Sequence, residues 1–153
     1  MDMSGEYVVP APRETVWAAL NDAEVLKACI PGCEELVKTS DTTMEAKVTQ
    51  KIGPVKAKFT GAVELVNIDA PAGYTIRGEG KGGVAGFAKG SADVRLSEEA
   101  GGTKLVYTAK AEVGGKLAQL GGRLINSTSK RLADQFFENF RNHLTSGEPA
   151  GGT

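Results

Sequence analysis

Apolar and polar residues alternate with period two through the middle of the chain and fall at helical spacing toward both ends. Glu6-Tyr7-Val8-Val9 reads as a short strand stopped by Pro10 and Pro12. Residues 13–20 carry apolar positions at helical spacing behind a proline suited to a helix's first turn, and Asn21-Asp22 ends them. A second short helix over 23–28 runs into the Pro31-Gly32 turn. Glu35 to Lys38 alternates weakly and predicts one strand. Met44, Ala46, Val48 and Ile52 then alternate with Glu45, Lys47, Thr49 and Lys51; Gly53-Pro54 turns the chain; Val55, Ala57, Phe59, Gly61, Val63 and Leu65 resume the pattern. Further strands are expected through Tyr74–Arg77, Ala88–Leu96 and Lys104–Ala109, joined by glycine turns as in an antiparallel meander. After Gly114-Gly115 the period lengthens. Leu117, Leu120, Leu124, Thr128, Leu132, Gln135, Phe136 and Phe140 share one side of a long helix, with Lys130, Arg131, Asp134 and Glu138 partly opposite.

This order predicts an α+β fold: a strand, two short helices, a curved antiparallel sheet of about six further strands, and a long C-terminal helix packed in the sheet's concave face. A single domain is expected over residues 1–145, with a flexible tail over 146–153. The inward strand faces change in side-chain size. Ala88, Gly90, Ala92, Val94 and Leu96 grow along one strand, and Leu105, Tyr107, Ala109, Ala111 and Val113 shrink along the next. Ala46, Ala57, Gly61 and Gly78 add small inward positions. Interiors are close-packed, so small residues imply either a close helix, here one carrying Gly121-Gly122, or an enclosed apolar space. Both readings fit the pattern. Under the second, the expected lining is Trp17, Phe59, Ile76, Ala92, Tyr107, Ala109, Leu120, Leu124, Phe136 and Phe140, with Phe137 a further wall.

Composition narrows the chemistry. Glycine is 20 of 153 residues, about 13% against a usual ~7%, without a collagen repeat. Eighteen Lys and Arg against nineteen Asp and Glu leave no global field for nucleic acid. There is no signal peptide and no apolar run of membrane-spanning length, so a cytoplasmic protein is expected, with peripheral contact to the inner face of the membrane as an extension of that expectation. Cys29 and Cys33 lack further ligands for a metal and read as reduced structural thiols; the single histidine, His143, reads as a surface residue. Gly78-Glu79-Gly80-Lys81-Gly82-Gly83 matches a dinucleotide-loop spacing, but period-two residues rather than a helix follow it. Glu34-Glu35 and Glu98-Glu99 read as solvated charge, and no catalytic, metal or cofactor motif emerges. Lys47, Lys51, Lys56 and Lys58 surround the Gly53-Pro54 turn, either as a solubilising outer face or as a contact with anionic lipid or a partner.

Val16-Trp17-Ala18-Ala19-Leu20-Asn21-Asp22, Cys29-Ile30-Pro31-Gly32-Cys33, the Gly78-to-Gly90 stretch, Gly102-Thr103-Lys104-Leu105-Val106-Tyr107 and Val113-Gly114-Gly115-Lys116-Leu117-Ala118 together resemble the CoxG family of carbon monoxide dehydrogenase subunits, over about residues 3–144. That family belongs to the helix-grip (SRPBCC) superfamily of START-like domains and plant pathogenesis-related proteins. The resemblance implies a non-catalytic hydrophobic-cavity protein that serves an aerobic molybdenum-containing carbon monoxide dehydrogenase or related hydroxylase. It further implies attachment of that enzyme to the membrane and a quinone or lipid ligand. A docking subunit with a filled core, or a cyclase or hydrolase on the same fold, are the alternatives. Many members continue to a hydrophobic C-terminal segment; this sequence ends at Thr153 without one, so peripheral attachment or soluble carriage of ligand is expected instead.

Overall fold

The structure is a computed structural model, and it describes residues 2–146. The alternating middle of the chain forms a meander, β2 (Cys33–Lys38), β3 (Thr43–Ile52), β4 (Val55–Asp69), β5 (Gly73–Lys81), β6 (Phe87–Glu99) and β7 (Gly102–Gly114). β1 (Asp2–Val9) pairs antiparallel with β7, from Asp2 opposite Lys110 to Val9 opposite Thr103. The seven strands therefore lie in the order β1-β7-β6-β5-β4-β3-β2, all neighbours antiparallel. Two short helices, α1 (Arg13–Leu20) and α2 (Ala23–Cys29), carry the chain from one edge strand to the other.

Local chemistry fixes that crossing. The Asp22 carboxylate accepts a hydrogen bond from the Glu24 amide at 2.9 Å and caps α2. α2 ends at Cys29, and Gly32 then turns the chain at φ +77°, where a Cβ would collide with the Thr49 carbonyl oxygen. The Thr49 amide donates to the Gly32 carbonyl at 3.0 Å, and the Gln50 side-chain amide donates to the Pro31 carbonyl at 2.5 Å, so the Ile-Pro-Gly-Cys turn is seated on β3. Gly32→Ala should therefore cost about 1–3 kcal/mol through backbone strain, with the collision added, read as a lowered urea midpoint.

The C-terminal helix departs from the expected single element. α3 (Lys116–Gln119) is one short turn; Gly121 adopts φ +90°; α4 then runs from Gly122 to Ser146. Apolar spacing continues across this break, but a left-handed glycine ends a helix whatever its periodicity. α4 lies in the concave face of the curved sheet and packs against α2, β1 and β3. The Asn139 side chain donates to the Cys29 carbonyl at 3.0 Å and ties α4 to the end of α2. The tail expected over 146–153 lies, from residue 147, outside the described residues.

The main core gathers at one end of the sheet. Val9, Val16, Leu105 and Phe140 are at most 1% exposed there, joined by Leu20, Leu65, Tyr74, Val94 and Leu96. Fully burying each such side chain stabilises the fold by about 1.5–3 kcal/mol.

Candidate functional site: an apolar cavity beside the start of α4

Cross-strand register turns the size gradient into a shape. One row across the concave face reads Ala46, Gly61, Gly80, Ala88, Val113, each opposite the next. Toward the other end of the strands the rows become Leu65, Ile76, Ala92, Ala109, Met3 and then Tyr74, Val94, Tyr107. Along β5 and β6 the inward side chains therefore shorten toward the end where α3 and the first turns of α4 lie, while β3 and β4 present Val48, Phe59 and Ile52 there.

A cavity of about 260 Å³ occupies that end. Val48, Gln50, Ile52, Phe59, Gly80, Ala88 and Val113 form its sheet wall, while Leu117, Ile125, Thr128, Ser129 and Leu132 close it from the helices. A Cβ added at Gly80 would meet nothing nearer than 3.9 Å, so the glycine leaves room rather than avoiding a collision. Gly90 behaves differently: a Cβ there would collide with the Lys110 carbonyl oxygen. A hollow lies beside the α3–α4 junction, and the main core fills the other end of the sheet.

The wall holds no titratable side chain; its polar groups are the Gln50 amide and the Thr128 and Ser129 hydroxyls. Thr128 is buried, and the Gln50 amide already donates to Pro31. Such a lining binds by shape and apolar contact, with a few neutral hydrogen-bonding groups to orient a ligand.

Of the ten sequence-predicted lining residues, Phe59 borders this cavity. The others lie outside its lining. Trp17 packs 5.0 Å from Tyr74. Tyr107 stacks on Phe137, which meets Phe136 edge-on, and Phe136 stacks on Phe140. Ile76 and Ala109 pack on the main core, Ala92 stands between them in register, and Leu120 and Leu124 are half-buried near the α3–α4 junction. Ala88, Gly80 and Val48, which a search for large apolar walls passes over, line the cavity where inward strand residues meet the first half of the helix stripe.

The same aromatic cluster carries a strong electrostatic contact between β1 and α4. The Tyr7 hydroxyl donates to Asp134 at 2.5 Å, and Lys130 bonds the other carboxylate oxygen at 3.1 Å. Tyr7's hydrogen bond, then Lys130, holds the Asp134 carboxyl below its ordinary value, while burial, then Asp134, pushes the Tyr7 hydroxyl up. A carboxylate with a depressed folded value stabilises above its unfolded value and loses that contribution as pH falls through the folded one. Tyr7→Phe should raise the Asp134 titration midpoint, read by NMR, and flatten the acid side of the stability profile.

The four lysines separate. Lys58 pairs with Glu34 at 3.0 Å and Lys47 with Glu35 at 3.6 Å, and Thr49 followed by Lys58 holds the Glu34 carboxyl low. Lys51 and Lys56 instead face each other across the hairpin. Cys29 is buried, Cys33 is half-buried, both are free thiols, and burial raises both above the ordinary thiol value. His143 is exposed near the end of α4. The Gly78–Gly83 run ends β5 and turns into β6 with one 3₁₀ turn, Gly83–Ala85. A larger depression of about 860 Å³ lies on the outward sheet face, but its charges alternate in register, as in Glu112, Lys89 and Glu79, with Lys89 and Glu112 paired at 3.5 Å. That is a solvated charged surface, and the smaller apolar cavity is the better site.

The family model for the CoxG subunit of carbon monoxide dehydrogenase matches residues 5–145. The chain belongs to the CoxG family. Among solved structures, this CoxG-family chain resembles a conserved protein from Geobacillus kaustophilus at 30% identity and TM-score 0.89, covering 95% of this chain and 96% of that one. TTHA0849 from Thermus thermophilus shares the fold at 16% identity and TM-score 0.71, with 96% and 99% covered. The Zhui aromatase/cyclase from Streptomyces sp. R1128 does so at 15% identity and TM-score 0.71, with 99% and 98% covered. No curated protein matches. The sheet, short helices and long gripped helix are thus the helix-grip fold expected from the sequence. Among the described residues no helix is long and apolar enough to cross a membrane, and no group of three or more His, Cys, Asp or Glu could hold a metal.

Proposed function

We propose that this CoxG-family protein is a non-catalytic accessory to an aerobic molybdenum-containing carbon monoxide dehydrogenase or related hydroxylase, and that it holds a lipophilic molecule, a quinone or lipid, in the cavity beside α3 and α4. The observation that supports this most is a 260 Å³ hollow walled by apolar groups with no titratable side chain. An apolar cavity of ~150 Å³ takes up benzene, so this one has room for a ring-sized head but not for a long chain as well. A prenylated quinone would seat its head inside and leave its tail outside, which suits exchange with a bilayer and coupling of the enzyme to the membrane.

A cyclase or hydrolase on this fold needs an acid or base converging on the ligand, and Gln50, Thr128 and Ser129 supply neither at neutral pH. Native mass spectrometry and solvent extraction of the protein from its source test the carrier reading. A co-purifying quinone or lipid is the expected result. Repeated recovery of empty protein that also ignores a naphthoquinone in titration overturns it and leaves a docking subunit.

A further inference from the structure

Three segments meet at the cavity end of the sheet: the β3–β4 hairpin, the β5–β6 loop and the β7–α3–α4 junction. A Cβ on Gly53 would come within 2.9 Å of Leu124, a ring carbon of Phe59 lies where a Cβ on Gly82 would go, and Gly86 abuts Gly114 and Gly115. The cavity is directly behind them, since its wall residues Ile52, Ala88, Val113 and Leu117 adjoin these segments in sequence.

Over residues 51–56, 81–87 and 114–123 the charged residues are Lys51, Lys56, Lys81, Lys116 and Arg123, with no Asp or Glu among them. All five are exposed, and none has an ion-pair partner among the described residues. Lys51 stands directly opposite Lys56, an arrangement that is unfavourable unless an anion relieves it. In a chain of net charge -1 this is a strong local asymmetry. At the same rim Val84, on a loop whose Gly83 and Gly86 adopt positive φ, is 85% exposed, and Phe87, the first residue of β6, is 38% exposed with its ring lying over Gly114. Uncompensated cations around projecting apolar side chains are what an anionic bilayer surface binds.

We infer that this rim is a bilayer-docking surface that sets the cavity end of the sheet against anionic lipid. Val84 and Phe87 enter the interface, and Lys51, Lys56, Lys81, Lys116 and Arg123 meet headgroup phosphates. Lys47 and Lys58, already paired with glutamates, take no part. This deepens the membrane half of the function proposed above, and it is tested without any cargo, so the two can fail separately.

The test is co-sedimentation of the purified protein with quinone-free vesicles of phosphatidylcholine alone or with ~30% phosphatidylglycerol, at low salt and at about 0.5 M NaCl. Binding should require the anionic lipid and weaken in high salt. Lys81→Glu with Lys116→Glu should lower partitioning at least about tenfold, and Val84→Asp severalfold. A charge-matched pair away from the rim, Lys38→Glu with Lys104→Glu, should change it little, with circular dichroism melts confirming that each variant folds. Equal binding to both vesicle types, or equal loss from rim and control variants, overturns the inference. So does no binding at all, which would leave an acidic protein surface as the rim's partner.

Discussion

Phe140→Ala is expected to lower stability by about 3–5 kcal/mol, enough to remove a large share of what holds a single domain folded. Phe140 is 0% exposed, stacks 5.8 Å from Phe136, and sits where α4 closes the filled end of the sheet. Truncation leaves a cavity that the surrounding β-sheet cannot collapse into. Leu132 lies two turns earlier on α4, half-buried against space that is already empty. Leu132→Ala should therefore cost less, toward the ~2 kcal/mol lower end for leucine truncation. Urea titrations of both variants, with unchanged m-values, check the contrast. Equal losses would mean that the first half of α4 is packed as tightly as the second.

The strands were legible because period-two alternation is a local property, and Gly53-Pro54 and Gly101-Gly102 punctuate it. The break at Gly121 was not, because Leu117, Leu120 and Leu124 keep helical spacing through a backbone conformation that periodicity does not register. The direction of the size gradient was readable along β6 and β7, but the position of the hollow depends on register across four strand pairs. Large apolar residues were the natural choice for walls, and most of them instead fill the opposite end, where Tyr7, Tyr107 and Phe137 stack. The lysines show the same limit. Glu35 meets Lys47 through the β2–β3 register, and Glu34 reaches Lys58 across β3 because β4 pairs on its far side; composition registers neither pairing.

Ala88→Phe should abolish uptake of a ring-sized apolar ligand while leaving stability nearly unchanged. Ala88 stands in the row of small residues opposite Gly80 and Val113, and its side chain borders the hollow. A benzene ring needs ~150 Å³, more than half of the 260 Å³ present, so the new side chain and a ligand cannot share the space. Ala92→Phe is the matched comparison, since Ala92 faces Ile76 and Ala109 in the filled region and its enlargement should cost about 1–3 kcal/mol. Isothermal titration with a soluble naphthoquinone reads the first effect, and urea midpoints read the second. If Ala88→Phe still binds the naphthoquinone with wild-type affinity, the ligand sits elsewhere. If it destabilises as much as Ala92→Phe, the small-residue row marks a close approach of α4 to the sheet, and the docking-subunit reading gains what the carrier loses.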